Sequence, residues 1–368
     1  MAFSEGKSRA TPVKYGFQSP EAVEFPPIII LENTTVCNLR CIHCPQGQGY
    51  PEREDYHAVY MEWDIYKKAI DEIAENKITM LRYSPAGEAL IHPQFLDQVA
   101  YAKAKGISPV DLTTNGLTLD NPAIENGKRI PGKTILDRLL ELGIDIIDIS
   151  VDAATRESYE KIRVLSNYHR VWSNIHRLLY LREKKKAPTK LMLSIIDQPE
   201  SHEEVQQFVK YWTPLVDRVI VRPYLENLGL TPTKPGTVVE HLHGVKRWPC
   251  PQFWKRITIA PEGHIRFCVV DWLDKTALGN VRTHSIKELW KSAEYERLRG
   301  CHLGGGYGEA HSICGPCTDW MGMRWEWGFE IAVGAVMGNA DAPSAPPPLN
   351  FAPRETELIS ISPQKSLG

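Results

Sequence analysis

Six short apolar runs, each followed by a stretch with helical periodicity, constrain this chain more than any other feature. Pro27 to Leu31, Thr79 to Tyr83, Pro109 to Thr113, Asp145 to Val151, Lys190 to Ile196 and Arg218 to Arg222 read as strands. Between them, Trp63 to Asn76 places Ile65, Tyr66, Ala69, Ile70 and Ile73 on one helical face. Pro93 opens a helix with Phe95, Leu96, Val99 and Ala100 inward, closed by Gly106. Thr134 to Leu142 is a helix stopped at Gly143, and two more cover 156–164 and 168–184. Ser201-x-x-Glu204 reads as a capping box for a helix running through Trp212. Strands alternating with helices in this way predict a parallel sheet. Residues 119–133, rich in Asn, Gly and Pro, read as an insertion.

The first run leads directly into Cys37-Asn38-Leu39-Arg40-Cys41-Ile42-His43-Cys44. Three thiols are one too few to close a tetrahedral metal site. An iron–sulfur cube held by three thiolates keeps one iron free for another ligand. The alternative is a zinc loop that borrows a histidine or a distant fourth cysteine. Residues 47–60, polar and aromatic without pattern, read as a loop over this site.

After Tyr224 the pattern changes. Residues 226–248 are rich in Gly, Pro, His and Thr and read as a linker or lid. Arg256 to Ala260 and His264 to Val270, around Pro261-Glu262-Gly263, predict a β-hairpin. Ser285-x-x-Glu288 caps a helix with Ile286, Leu289, Trp290 and Leu298 inward. Cys250, Cys268, Cys314 and Cys317 make a complete ligand quartet, for zinc or for a cluster. Cys301 is left over: a small buried hydrophobe, or a thiol able to donate a hydrogen atom from the Gly304–Gly308 loop. Residues 1–24 read as a loose lead-in and 331–368, rich in Ala, Pro and Ser, as a disordered tail.

With 368 residues the chain has length for one large domain and a smaller one. A net charge of −2 supplies no basic field for nucleic acid or anionic lipid. The basic run Arg182 to Lys186 reads as a solvated helix end. No apolar run approaches the roughly 20 residues of a membrane span, and no secretory signal is evident. The eight cysteines therefore read as reduced ligands in a cytoplasm.

Cys-x3-Cys-x2-Cys after the first strand resembles the radical S-adenosylmethionine (radical SAM) family. Further motifs follow in that family's order. Ser84-Pro85-Ala86-Gly87-Glu88-Ala89-Leu90 looks like its Gly-Gly-Glu-Pro motif, with Ala86 and Ala89 replacing a Gly and the Pro. Thr113-Thr114-Asn115-Gly116 and Ile149-Ser150-Val151-Asp152 look like the third and fourth strand ends. Cys250-Pro251-Gln252-Phe253-Trp254 with Pro261-Glu262-Gly263 resembles the family's C-terminal auxiliary-cluster domain, called SPASM in its long form and twitch in its short one. The resemblance spans about residues 25–320.

It implies an α/β fold: a partial (β/α)6 TIM-like barrel over 25–225, then a 226–248 linker and a small α+β twitch/SPASM domain over 249–330. Cys37, Cys41 and Cys44 would hold a 4Fe–4S cluster whose free iron SAM chelates, and Cys250, Cys268, Cys314 and Cys317 an auxiliary 4Fe–4S cluster. One electron then splits SAM into methionine and a 5′-deoxyadenosyl radical. Glu88, with the Ala86-Gly87 backbone, would hold the methionine amine, and Arg163 the carboxylate. Ser150 and Asp152 would meet the ribose hydroxyls, His43 the adenine, and Asn115 belongs to the same cofactor set. Arg222 and Tyr224, ending the sixth strand, would face substrate.

The small four-cysteine domain is similar to that of aminocyclitol dehydrogenases. The implied substrate is a carbohydrate or cyclitol of antibiotic type, with a flavodoxin- or ferredoxin-type electron donor. Dehydrogenation and epimerisation, the latter through Cys301, both remain open. A maturase of ribosomally made peptides is the second reading, although no peptide-recognition domain is evident before residue 25. A non-catalytic iron–sulfur or zinc module is the third.

Overall fold

The computed structural model describes residues 24–48, 58–84, 86–237, 247–322 and 329–338. Six strands pair in parallel as the alternation predicts: β1 (Ile28–Leu31), β2 (Met80–Tyr83), β3 (Val110–Thr114), β6 (Ile146–Ser150), β7 (Lys190–Asp197) and β8 (Arg218–Pro223). β4 (Pro122–Glu125) and β5 (Lys128–Thr134) form a separate antiparallel hairpin. This hairpin is the insertion at 119–133, and its signal was the Asn126-Gly127 pair, both at positive φ (49° and 69°).

β1 is flanked on its other side, also in parallel, by β9 (Arg256–Ile259). β10 (His264–Arg266) and β11 (Ala277–Asn280) continue antiparallel, giving one sheet ordered β11-β10-β9-β1-β2-β3-β6-β7-β8. The C-terminal region thus extends the barrel sheet by three strands.

Both faces of the central strands are buried, as parallel sheets require. Ile29, Leu31, Leu81 and Tyr83 pack with the helices, including all five residues expected inward on Trp63–Glu75. Ile28, Ile30, Met80, Ile146 and Met192 form a second cluster near the N-terminal ends of their strands. Each such fully buried side chain contributes about 1.5–3 kcal/mol. Val333 of helix Phe329–Val336 completes this ring, so the tail begins with a helix that plugs the barrel floor.

Four local expectations are corrected. On helix Phe95–Ala104, Gln98 and Ala102 fill the core while Ala100 stays half-exposed. Gln98 accepts a hydrogen bond from buried Asn33 (2.9 Å), so a polar residue replaces the expected alanine. Ser201 is not a side-chain cap, because its hydroxyl donates to the Ile196 carbonyl (3.3 Å). Glu204 instead accepts from the Ala154 and Thr155 amides (2.7 and 2.9 Å), where a carboxylate stabilises the start of helix Arg156–Ile162. The Ser285–Glu288 box forms, but Ser292 starts a second helix, Ala293–Gly304, which carries Leu298.

Nor is 226–237 a free linker. The buried Asp319 carboxylate accepts from the amides of Glu226, Asn227 and Leu228 (2.8, 3.1 and 2.7 Å). The rest of the expected linker, 238–246, and most of the expected cluster loop, 49–57, lie outside the described residues. Among the described residues, no helix is long and apolar enough to cross a membrane.

Candidate functional site

The three-thiol loop leaves the C-terminal end of β1 and is tied to the fourth strand–helix unit. Arg40 and Ile42 amides donate to the Val164 and Ile162 carbonyls (2.9 and 3.0 Å). Cys44 donates to the Cys41 carbonyl and Gly47 to that of Cys44, curling the loop so that its thiols converge. Gly87, at φ +118°, lies against the segment feeding this loop. A Cβ there would stand 2.5 Å from the Thr34 oxygen and 2.7 Å from that of Val36, so only glycine permits this backbone contact.

Burial pushes the Cys37 thiol up to about 12 and Cys41 to about 11, and raises Cys44. Mutual repulsion of the three groups adds to this. Bare, they hold their protons. A set of crowded, desolvated thiols becomes thiolate only against a metal, which fits a three-thiolate cluster.

Glu88 is 3% exposed and bridges neighbouring strand ends. It accepts from Thr114 Oγ1 (2.6 Å), the Asn115 amide (2.8 Å) and the Leu90 amide (3.3 Å). Burial raises its carboxyl, opposed by those donors. The Asn115 side chain continues the chain to Asn38 in the thiol loop (2.8 Å).

Asp152, at φ +69°, accepts from the Ile196 amide (2.8 Å) and from Arg163 (2.5 Å), while His43 approaches it at 3.5 Å. Burial works to raise this carboxyl, but Arg163 and then His43 outweigh it and hold it below its usual range. Burial also pushes His43 down to about 4, so its ring is neutral at neutral pH. Arg163 and Asp152 are therefore partners of each other rather than independent groups. Arg163 Nε remains a buried donor without a hydrogen-bond partner. Ser150 is half-buried, 3.5 Å from the Ser194 hydroxyl.

Beneath this site, charged side chains face one another across the barrel interior. Arg82 meets Asp111 (3.2 Å) and Asp148 (3.3 Å), and Arg222 meets Asp148 (2.5 Å). Among the described residues, Asp111 Oδ1 and Asp148 Oδ1 are buried without a hydrogen-bond partner, and Asp111 Oδ2 has only its ion pair with Arg82. Burial raises the Asp111 carboxyl. This layer escaped the sequence reading apart from Arg222, although Arg82, Asp111 and Asp148 announce it as charges inside buried strands. Tyr224 lies past β8 and is buried, its hydroxyl donating to the Pro232 carbonyl (2.8 Å), so it is a packing residue rather than an open contact.

Cys250, Cys268, Cys314 and Cys317 come together around one cavity, walled also by Phe253, Phe267, Ile313 and Trp320. Burial pushes Cys314 and Cys317 up to about 12 and raises Cys250 and Cys268, with neighbouring thiols reinforcing the rise at Cys268, Cys314 and Cys317. Four convergent thiols in an apolar shell match a metal centre closed by protein alone. His302 and Arg247, neither singled out from sequence, line the same cavity. Cys301 does not. Its described thiol contact is with Arg297 (3.7 Å), Gly305 ends its helix in a left-handed turn, and Tyr307–Ala310 is helical rather than a loose loop.

The fold and the two thiol sets define a SAM-type barrel joined to a cluster-binding extension. Residues 31–210 match the radical SAM superfamily and residues 250–318 the SPASM iron–sulfur cluster-binding domain, so the chain carries both domains. They imply SAM, a SAM-binding 4Fe–4S cluster and auxiliary cluster ligation, for which the cysteines described above are present.

Among individual proteins, the chain is 30% identical over 180 residues to the GTP 3′,8-cyclase of Chlorobaculum tepidum, covering 48% of this chain and 47% of that one. It is also 30% identical over 125 residues (34% and 30% of the two chains) to a cofactor-modifying protein for tungsten-containing aldehyde ferredoxin oxidoreductase from Pyrococcus furiosus. The matched part spans less than half the length of these relatives. In fold the chain is similar to Streptococcus suis SuiB bound to S-adenosylmethionine (TM-score 0.59, 13% identity, 84% of this chain and 74% of that). It is similar too to BtrN in complex with AdoMet and 2-DOIA (TM-score 0.52, 15% identity, 79% and 92%).

Proposed function

We propose that this chain is a radical SAM enzyme that removes a hydrogen atom from a carbinol carbon of a carbohydrate or aminocyclitol. The carbinol radical would then lose its hydroxyl proton to solvent and one electron to the cluster that Cys250, Cys268, Cys314 and Cys317 would hold, giving a ketone. When bound at Cys37, Cys41 and Cys44, the cluster and SAM together supply a 5′-deoxyadenosyl radical after one-electron reduction. The chain's own residues hold and aim the reactants. Glu88 and the Ala86-Gly87 backbone take the methionine amine, and Arg163 Nε is a free donor for the carboxylate. Ser150 and Asp152 would accept from the ribose and His43 would serve the adenine, while Asn115 holds the thiol loop to β3.

The observation that carries the substrate class is the buried layer of Asp111, Asp148, Arg82 and Arg222 in the barrel. Asp111 Oδ1 and Asp148 Oδ1, which meet no donor among the described residues, suit hydroxyl and ammonium donors, while its two arginines suit hydroxyl acceptors. Dehydrogenation is favoured over epimerisation because the described contact of the Cys301 thiol, on helix Ala293–Gly304, is with Arg297 (3.7 Å) and not with a residue of the strand-end site. An electron donor of flavodoxin or ferredoxin type belongs to this reading.

A second reading, a cyclase acting on GTP, draws on the similarity to the GTP 3′,8-cyclases across the SAM half. The lumen pairs two carboxylates with two arginines, which is a poor match for a triphosphate.

The test is anaerobic reconstitution followed by incubation with SAM, dithionite and candidate substrates in deuterium oxide. About eight irons, 5′-deoxyadenosine and a carbonyl product from an aminocyclitol or aminosugar are expected. Solvent deuterium at carbon would replace dehydrogenation by epimerisation, turnover of GTP would establish the second reading, and modification of a peptide would overturn both. Colourless protein without 5′-deoxyadenosine would end the radical SAM reading.

A further inference from the structure

The four-thiol cavity holds more than its thiols account for. His302 is 1% exposed, and its Nδ1 accepts the Cys250 amide hydrogen (3.3 Å). That bond assigns the ring proton to Nε2. Among the described residues, Nε2 finds no hydrogen-bond partner. The ring is held in place by Phe253 and Tyr307, with centroids 4.4 and 5.3 Å away.

The ring cannot turn to seek an acceptor without giving up the Cys250 amide. Buried donors are nearly always paired, so this one points to an occupant of the cavity that accepts. The cavity is lined by apolar groups such as Phe253, Phe267 and Ile313, by Gln252 and by the four cysteines. Gln252 Oε1 already accepts from Arg256 Nε, which leaves the sulfurs as the side-chain acceptors toward the cavity. A second donor comes from the same wall. Arg247 is clamped by its Nη1 to the Cys314 and Gly315 carbonyls (2.6 and 3.1 Å) and stacked 4.1 Å over Tyr307, with its Nε buried and unpaired.

We infer that His302, through Nε2–H and assisted by Arg247 Nε–H, is a hydrogen-bond donor to the sulfurs of the cluster held by Cys250, Cys268, Cys314 and Cys317, and raises its reduction potential. The proposal rests on the auxiliary-cluster reading above. Its physical basis is charge. A cluster with four thiolate ligands gains negative charge on reduction, and N–H donors fixed in a dry shell favour the more negative level. His302 is a positioning and tuning residue, not a ligand, since ligation by Nε2 would require the tautomer that loses the Cys250 amide bond. A raised potential makes this site a better electron acceptor, in keeping with dehydrogenation.

The test uses the full chain with Cys37, Cys41 and Cys44 changed to Ala, so that the remaining signal belongs to the four-thiol site alone. After anaerobic reconstitution and iron counting, the midpoint potential is read by redox titration followed by electron paramagnetic resonance. His302→Phe, which keeps the ring packing, is expected to shift the reduced-to-oxidised ratio at fixed potential at least tenfold toward the oxidised form, about 59 mV for one electron. His302→Gln, which keeps a donor, is expected to stay within threefold of the parent. Four irons with an unmoved midpoint in His302→Phe would overturn the inference. Should that variant fail to take up iron, Arg247→Met is expected to shift the midpoint in the same direction by a smaller amount, and no shift there overturns it equally. Zinc in place of iron in the parent would instead defeat the auxiliary-cluster reading itself.

Discussion

Glu88→Gln separates two jobs that one side chain is asked to do. As a brace, Glu88 accepts three hydrogen bonds, from Thr114 Oγ1, the Asn115 amide and the Leu90 amide. A glutamine keeps its carbonyl toward the Asn115 amide and turns its NH2 toward Thr114, whose hydroxyl can accept. The Leu90 bond, the longest at 3.3 Å, is lost with the charge, so metal-free stability should fall by about 1–2 kcal/mol. As a ligand, Glu88 would lose a charged hydrogen bond to the SAM ammonium, worth about 1.5–3 kcal/mol, or a 10- to 150-fold weaker Kd. Urea denaturation of the metal-free chain measures the first effect, and SAM titration of the anaerobically reconstituted protein the second. A variant that loses stability yet binds SAM at parental affinity would leave Glu88 a brace alone and refute its role in SAM recognition.

Other substitutions bear on separate parts of the molecule. Gly87→Ala would force a side chain into positive φ at a cost of about 1–3 kcal/mol and press the thiol-loop backbone away. Iron content should fall from about eight toward four, and full loading would contradict the proposed contact. Asp111→Leu would take one of its two carboxylate partners from Arg82, which keeps Asp148, and cost about 1.5–3 kcal/mol, while Arg82→Met combined with Asp111→Leu should recover much of that. If the double variant turns over substrate with parental KM, the lumen layer is only structural. Glu141 is held down to about 2, first by Lys133 and then by Lys185 and Arg138. Because its folded-state pKa lies below the unfolded value, its contribution is full above pH 4.5 and disappears as pH falls toward 2. Glu141→Gln should therefore lower stability by about 1 kcal/mol at pH 7, after solvent screening, and by nothing measurable at pH 2, compared through urea midpoints.

Much of the barrel was readable because its parallel strands are apolar on both faces and its helices keep one stripe, as on Trp63–Glu75. Seven of the cysteines stand out by spacing and count, which alone leave zinc and an iron–sulfur cluster both open; the resemblance to the radical SAM family is what points to clusters. Side-chain pairing was not. Arg163 and Asp152 stood out separately, yet neither sequence position tells that they close on one another. The Ser201 box failed because Glu204 had better donors 50 residues away, at Ala154. His302 and Arg247 carry no motif at all; they gain meaning only when a cavity brings them to four thiols. Local grammar reports backbone preference, and long-range polar pairing overrides it wherever a buried charge needs a partner.

The placement of the two thiol sets relative to one lumen follows from strand direction. β1 runs into the three-thiol loop at its C-terminal end, and its parallel neighbour β9 turns back through β10 toward Cys268. β10 is antiparallel, so Cys268 emerges at the opposite end of the sheet from Cys37. Val269, beside Cys268, packs on the apolar ring of Ile28, Met80 and Ile146 at the barrel floor. The paired layer of Arg82, Asp111, Asp148 and Arg222 lies on the same strands, with Asp111 in register with Ile146 of that floor and Asp148 two residues nearer the strand-end site. A polar molecule seated on this layer would have one thiol set above it and the other beside the floor below. The C-terminal strands supply this arrangement by adding to the edge of β1: had they formed a detached domain, its distance from the lumen would be set by a linker instead of by backbone hydrogen bonds.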